Sequence, residues 1–110
     1  MKKNKILVFI PAYNVENKIT KVLKKIPKLI FKKHNISILI VEDNSKDDTL
    51  NIIKKIAKKK FNKTKINLIF NKKNQGYGGV QKIAFKYAIK KNFKYIVMLH
   101  GDNQYPANKI

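Results

Sequence analysis

Four short and nearly continuous apolar runs, each followed at once by polar residues, constrain the fold of this chain most strongly. They lie at 5–10, 36–41, 65–70 and 95–99, and Asn67 interrupts the third. Runs of this length predict strands, and strands without polar alternation are typical of a parallel sheet covered on both faces. We therefore expect the fourth strand, at 95–99, to be buried on both sides. Pro11 should end the first strand, because proline cannot donate in a central ladder.

Between the strands, apolar residues recur at intervals of three and four, the spacing of amphipathic helices. The first series comprises Ile19, Val22, Leu23 and Ile26. Pro27 should end this helix, and a second short helical piece carries Leu29 and Ile30. Ser45 and Asp48 have the spacing of a capping box that opens a third helix. The buried face of that helix would hold Leu50, Ile53 and Ala57.

A polar, glycine-bearing segment at 71–79 is predicted to be a loop, and the last helix follows it. Its apolar positions repeat at helical spacing and are Val80, Ile83, Ala84, Tyr87 and Ala88. Strands that alternate with helices favour right-handed crossovers. The fold class predicted for the chain, 1–110, is thus one α/β domain, a three-layer Rossmann-like and mostly parallel sheet with helices on both faces.

We predict the spatial strand order 3-2-1-4, which puts a topological switch point between strands one and four. The carboxyl ends of strands two, one and four then become neighbours. Three polar breaks, at 11–14, 42–45 and 100–104, would converge on one crevice at that edge, where open α/β sheets bind their ligands. This convergence is the inference on which the functional interpretation depends.

The net charge of +20 invites a nucleic-acid interpretation, but all 26 basic residues are lysine. Specific recognition of phosphates and bases normally uses the bidentate fork of arginine, so no nucleic-acid partner is expected. Peripheral contact with an anionic membrane stays open. The chain has no cysteine, which excludes disulfides and thiolate metal sites and fits a cytoplasmic location. No apolar run approaches the ~18 residues that would span a bilayer.

The residues of the three breaks suggest ligand contacts, each with a structural alternative. Asp43 or Glu42 would accept hydrogen bonds from a base or ribose, or else would cap a helix. Tyr13 would stack on a planar base, or else cover the rim of the core. The amides between Gly76 and Gly79 would bind an anion at a helix N-terminus, although a tight entry into the helix explains these glycines equally well.

Asp102 is the best candidate for a metal ligand, because hard divalent cations often take one or two carboxylates together with phosphates and water. His100 precedes it by two residues, and such residues face the same side of a strand. An imidazole ligand would favour Mn²⁺ over Mg²⁺. The alternative is a histidine with only a structural hydrogen bond.

Four motifs occur in order along the chain: Pro-Ala-Tyr-Asn at 11–14, Glu-Asp-Asn-Ser-Lys-Asp-Asp-Thr at 42–49, Asn-Gln-Gly-Tyr-Gly-Gly at 74–79 and His-Gly-Asp-Asn-Gln-Tyr-Pro at 100–106. Together they resemble the N-terminal half of the family 2 glycosyltransferases of GT-A fold. The dolichol-phosphate-mannose-synthase-like branch is the most similar. The resemblance extends over nearly the whole chain.

The resemblance implies a metal-assisted, inverting transfer of sugar from a nucleotide-diphosphate sugar to a lipid-phosphate or glycan acceptor of the cell envelope. It implies that Pro11 and Tyr13 line the nucleotide pocket and that Asp43 contacts the base. Asp102 matches the second acid of the Asp-x-Asp metal motif. Other matching positions are Glu16, Gly76, Gly79 and Gln104. The cation would be Mn²⁺ or Mg²⁺, and the location would be cytoplasmic, with the inner face of the membrane left open.

The chain departs from the family pattern at three places. His100 stands where the first acid of Asp-x-Asp usually lies, Val15 replaces the first of two glutamates, and the sequence stops at Ile110. The catalytic base of the family is expected after that point, so no residue here is assigned to it. The alternatives are a donor-binding fragment without catalysis, a basic module for nucleic acid or anionic membrane, and a non-functional product whose fourth strand exposes an apolar edge.

Overall fold

A computed structural model describes residues 5–59 and 64–100, and these form a four-stranded parallel sheet with helices on both faces. The strand order is β3-β2-β1-β4, as predicted. The elements in chain order are β1 (Lys5–Ala12), α1 (Ile19–Lys24), α2 (Lys28–Lys33), β2 (Asn35–Glu42), α3 (Thr49–Lys58), β3 (Ile66–Phe70), α4 (Gly76–Lys90) and β4 (Tyr95–Met98). No helix in these two ranges is long and apolar enough to cross a bilayer.

The continuous apolar runs of β1 and β2 supply two cores, because consecutive residues of a strand point to opposite faces. On one face Val8, Ile10 and their neighbours in β2 pack against α1, α2 and α3. On the other face the buried cluster joins the sheet to α4 and comprises Leu7, Phe9, Leu39, Val41, Val80, Ala84 and Ala88. The two central strands are therefore covered on both sides, as their composition predicted.

Pro11 does not end β1, contrary to the prediction. In a parallel strand the N–H and C=O of one residue point toward the same neighbouring strand, and the next residue points the other way. The Phe9 carbonyl accepts from the Leu99 N–H, and the Ala12 carbonyl accepts from the Asp43 N–H. Pro11 therefore faces the side of β4, whose pairing ends with Met98 opposite Phe9. Its missing N–H removes no bond to β2, so the strand continues to Ala12.

The prediction that the fourth strand is buried on both sides is wrong. β4 lies at an edge of the sheet and pairs only with β1 among the described residues. Tyr95 is exposed, and the next three residues are only partly buried. The strand also ends one residue early, at Met98, although Leu99 is buried and donates its N–H to Phe9. The predicted order already put this strand at the edge of the sheet, and its apolar run alone did not establish burial on both sides.

Two helices begin elsewhere than the sequence indicated. α4 begins at Gly76 rather than near Val80, because the carboxylate of Asp43 accepts the N–H groups of Gln75 and Gly76. The capping box at Ser45 does not form. α3 begins at Thr49, and the Ser45 hydroxyl instead accepts the N–H of Asn14.

The α4 side of the core can be tested with Leu39→Ala. Leu39 is fully buried between the sheet and α4, so truncation should lower the free energy of unfolding by ~2–5 kcal/mol. Urea denaturation measures this change. Leu29→Ala is the control, since Leu29 is exposed on α2, and its effect should stay within about 0.5 kcal/mol. Equal losses for the two variants would contradict the described core.

Candidate functional site

A pocket of about 330 Å³ opens at the carboxyl ends of β1, β2 and β4. Its lining comprises Pro11, Ala12, Tyr13, Val15, Asp43, Asn74, Gly76, Tyr77, Val80 and His100. The structure thus brings Tyr13, Asp43 and His100, one from each polar break, to one place. Glu16 and Gly79 do not belong to this lining, and the predicted ligand residues Asp102 and Gln104 lie outside the described residues.

Hydrogen bonds join the loop after β1 to the loop after β2. Asn14 donates its N–H to the Ser45 hydroxyl at 2.9 Å and accepts the Lys46 N–H on its side-chain oxygen at 2.8 Å. One residue further, the Val15 N–H donates to the Thr49 hydroxyl at 2.8 Å. Asn14 adopts a left-handed backbone with φ 53°, which asparagine tolerates better than most residues. These contacts hold the backbone beside Tyr13 at the mouth of the pocket.

Asp43 is only 4% exposed, and its carboxylate is the central polar group of the pocket wall. Its Oδ1 accepts the side-chain N–H of Asn71 at 2.9 Å and the N–H of Gln75 at 2.8 Å. Its Oδ2 accepts the N–H of Gly76 at 3.0 Å. A carboxylate offers about four acceptor positions, so one position, on Oδ2, is left for a ligand donor.

The glycine-bearing segment has a different geometry from the predicted anion-binding loop. The N–H of Gly76 already donates to Asp43 and to the side-chain oxygen of Asn74, and Gly76 has φ +74°. Gly79 lies within α4, where an added Cβ would sit 2.8 Å from the Cβ of Gln75. The left-handed backbone therefore explains Gly76, and the close approach to Gln75 explains Gly79. Both explanations agree with the structural alternative, a tight entry into the helix.

Glu42 and Glu16 support the loops rather than the pocket. Glu42 is fully buried, and its two carboxylate oxygens accept the N–H groups of Asn44 and Ser45 at 3.1 and 2.8 Å. The N–H of Glu16 donates to Asp47 at 3.3 Å. Of the two acids that end β2, Asp43 is therefore the one that lines the pocket.

Tyr77 is a pocket residue that the sequence did not indicate. Its ring stacks on His100 with centroids 5.9 Å apart and an interplanar angle of 10°, and its hydroxyl donates to the sulfur of Met98 at 3.2 Å. Residues 76–79 were predicted to form a loop whose backbone N–H groups would bind an anion. The only available signal was an aromatic residue between glycines beside a predicted helix.

His100 lies in the pocket lining, but the described residues alone do not make a cation site. No group of three or more histidine, aspartate or glutamate side chains with suitable geometry occurs within 5–59 and 64–100. The Asp43 carboxylate is largely occupied by N–H donors of the protein. One imidazole therefore faces the pocket, and the predicted carboxylate partner Asp102 follows it two residues later in the sequence.

The carboxylate of Asp47 also links the loop after β1 to the loop after β2. Its partial burial alone would raise its pKa, but hydrogen bonds from the Thr49 hydroxyl, the Thr49 N–H and the Glu16 N–H hold the pKa of Asp47 below its usual range. Hydrogen bonds to the charged form of a carboxyl favour that form. The ionised Asp47 therefore stabilises the folded loops.

Comparisons with known proteins agree with this architecture. The model of glycosyl transferase family 2 matches residues 7–110. S. aureus TarS 1-349 in complex with UDP-GlcNAc aligns with a TM-score of 0.66 and 28% identity over 89% of this chain. PcManGT, a mannosyltransferase from Pyrobaculum calidifontis in complex with GDP-Man and Mn²⁺, aligns with a TM-score of 0.68 and 15% identity over 99% of this chain, and this similarity shows the fold alone.

The chain is much shorter than these solved structures. It spans 26% of the TarS chain and 30% of the mannosyltransferase chain. No curated protein sequence matches it significantly. The fold is therefore that of GT-A glycosyltransferases, and the aligned portion is a fraction of either structure.

The role of Asp47 can be tested by its pH dependence. A pKa lowered on folding gives stability that is present above the unfolded value of about 3.9 and is lost as pH falls through the folded value. At neutral pH, Asp47→Asn should therefore unfold at lower urea concentration than the wild type. The gap should narrow progressively as pH falls below about 4. A gap of the same size at neutral pH and well below that pH would contradict the assignment.

Proposed function

The chain belongs to glycosyl transferase family 2, and from this premise we propose that its pocket binds the nucleotide of a nucleotide-diphosphate sugar. The observation that carries the proposal is the meeting of Tyr13, Asp43 and His100 around one pocket at the carboxyl edge of the sheet. Open α/β sheets bind ligands at this edge, beside the topological switch point. Residues 1–110 would then be the nucleotide-sugar-binding half of a glycosyltransferase domain.

Each pocket side chain has a role that its environment supports. Tyr13 is exposed at the mouth and offers a ring face to the base, with Pro11 forming the adjoining wall. The remaining acceptor position of Asp43 would receive an N–H of the base or a hydroxyl of the ribose. Because three protein donors hold this carboxylate in place, the acceptor is oriented before the ligand arrives. Gly76 stands beside it in the lining.

The proposed reaction is the transfer of the sugar from its diphosphate to a lipid-phosphate or glycan acceptor, with inversion at the sugar carbon. We assign the chain to the dolichol-phosphate-mannose-synthase-like branch, whose pattern Gln104 matches, and this assignment implies that class of acceptor. A role in the cell envelope follows from such an acceptor. The TarS structure contains UDP-GlcNAc and the mannosyltransferase structure contains GDP-Man, so both uridine and guanosine donors are reasonable candidates. Within this reaction, residues 1–110 would bind the donor, and they would do so on the cytoplasmic side.

A divalent cation is part of the proposal. His100, at the pocket, and Asp102 would hold Mn²⁺ or Mg²⁺, with diphosphate oxygens and water as further ligands. When bound, the cation supplies positive charge against the negative charge that develops on the diphosphate. The Tyr77 ring, stacked on His100, restricts the orientation of the imidazole.

Nucleotide binding can be tested by calorimetric titration of UDP and GDP. At least one should bind, and Tyr13→Ala should weaken its binding by about 1–3 kcal/mol through lost stacking. Tyr95→Ala is the matched control, because Tyr95 is similarly exposed but lines another groove, and it should leave the affinity unchanged. Absence of binding by both nucleotides, with and without Mn²⁺, would refute the proposed function.

The cation can be tested with the two histidines of the chain. Mn²⁺ should strengthen binding of the diphosphate nucleotide, and His100→Ala should remove most of that gain because an imidazole ligand is lost. His34→Ala is the control, since His34 lies after α2 and outside the pocket lining. If the two variants respond to Mn²⁺ alike, His100 is not a ligand.

A further inference from the structure

The two oxygens of the Asp43 carboxylate differ in how many protein donors they accept. Oδ1 accepts two, the side-chain N–H of Asn71 at 2.9 Å and the backbone N–H of Gln75 at 2.8 Å. Oδ2 accepts one, the backbone N–H of Gly76 at 3.0 Å. Each carboxylate oxygen has about two acceptor positions, so Oδ1 is filled and Oδ2 accepts one more donor. The carboxylate therefore offers a ligand a single acceptor position.

The rest of Asp43 is fixed as well, which holds the carboxylate in this orientation. Its backbone N–H donates to the Ala12 carbonyl at 2.9 Å, and its carbonyl accepts the side-chain N–H of Asn74 at 3.1 Å. Turning the carboxylate to free Oδ1 would take this acceptor from the buried Asn71 side chain. A buried donor without an acceptor is unfavourable, so the single free position persists when a ligand binds.

Nucleotide bases differ in the donors that they present on the edge away from the ribose. Uracil presents one, the N3–H, between two carbonyl groups. Guanine presents two adjacent donors, N1–H and the 2-amino group, which would suit a carboxylate with one free position on each oxygen. Cytosine has an acceptor at N3. A site with one acceptor position therefore satisfies uracil and leaves one donor of guanine without a partner on the carboxylate.

We propose that Asp43 selects uracil, so that the sugar donor of this chain is a uridine-diphosphate sugar rather than a guanosine-diphosphate sugar. The inference rests on the proposed nucleotide-binding function and adds which base the pocket accepts. Asn71 and Gln75 determine the selectivity, because their N–H groups fill Oδ1. Stacking on Tyr13 would not discriminate, since every base has a π-face.

Calorimetric titration of the 110-residue chain with UDP, GDP and inosine diphosphate tests the number of donors. Inosine diphosphate has the purine ring system of GDP without the 2-amino group, so it separates the size of the base from the second donor. GDP should bind about 5- to 100-fold more weakly than UDP, because a buried unpaired donor is costly. For the same reason, inosine diphosphate should bind more tightly than GDP.

Two results of this titration would overturn the inference. One is GDP that binds as tightly as UDP. The other is GDP that binds at least as tightly as inosine diphosphate. The second result would follow if the guanine amino group found another acceptor, such as the side-chain oxygen of Asn74, which is exposed and takes the N–H of Gly76.

Two methylated nucleotides test the single bond to uracil. N3-methyl-UDP lacks the N3–H and should bind at least about tenfold more weakly than UDP, because the acceptor on Oδ2 is left unpaired. The matched control, 5-methyl-UDP, carries the same added group but keeps the N3–H, and it should lose less affinity. Its base is thymine, so its affinity also shows whether the pocket separates uracil from thymine. Equal losses for the two methylated nucleotides would contradict a bond from N3–H.

The variant Asp43→Asn should exchange the preference for UDP for a preference for CDP. The N–H groups of Asn71 and Gln75 would keep the amide oxygen in the place of Oδ1, so the amide nitrogen would replace Oδ2. This nitrogen would donate to N3 of cytosine but would oppose the N3–H of uracil. Gly76 keeps an acceptor, the side-chain oxygen of Asn74 at 3.0 Å. A variant that is folded by circular dichroism and still prefers UDP would contradict the inference.

Asp48→Asn is the matched control, because Asp48 is exposed and lies outside the pocket lining. It should keep the order of affinities of the wild type, and the same exchange of preference in this variant would contradict the role of Asp43. The titrations on the wild type decide the question even if Asp43→Asn does not fold. Binding of no nucleotide would refute the proposed function and this inference together, whereas UDP binding without preference over GDP would overturn this inference alone.

Discussion

The edge of the sheet that carries the pocket depends on the hydrogen bonds of the buried Asp43 carboxylate. Asp43 is 4% exposed, and its buried carboxylate requires close hydrogen-bond donors, because an uncompensated buried charge is costly. Asn71, after β3, and the N–H groups of Gln75 and Gly76 supply them. The end of β2 is thereby joined to the segment that follows β3 and to the beginning of α4, so one acidic side chain determines where a wall of the pocket stands.

The same carboxylate connects stability with binding. Its structural bonds leave one acceptor position on Oδ2, and Asp43 lines the same pocket as Tyr13. The loop that holds Tyr13 is itself fixed by the bonds of Asn14 and Val15 to the segment that opens α3. The site is therefore formed before a ligand arrives, and little conformational entropy would be lost on binding.

The sequence predicted the strand order, and it predicted the meeting of the three polar breaks because parallel strands have their carboxyl ends at the same edge of a sheet. It did not predict where α4 begins, since Gly76 is held by Asp43, 33 residues earlier in the chain. Ser45 likewise resembles a helix cap locally but pairs with Asn14, 31 residues away. Tyr95 begins an apolar run that was predicted to be buried, yet its side chain is 50% exposed. Local patterns thus gave the elements, and long-range hydrogen bonds set their ends.

The central claim is that residues from three separate loops bind one nucleotide, and a backbone amide NMR titration tests it most directly. Addition of UDP or GDP with Mg²⁺ should shift the amide signals of Tyr13, Asp43, Tyr77 and His100 together, along a single binding curve. The signals of 54–59, at the end of α3 and outside the pocket lining, should stay unchanged. Shifts confined to the lysines of 54–59, or shifts of the four pocket residues with unrelated midpoints, would contradict the account.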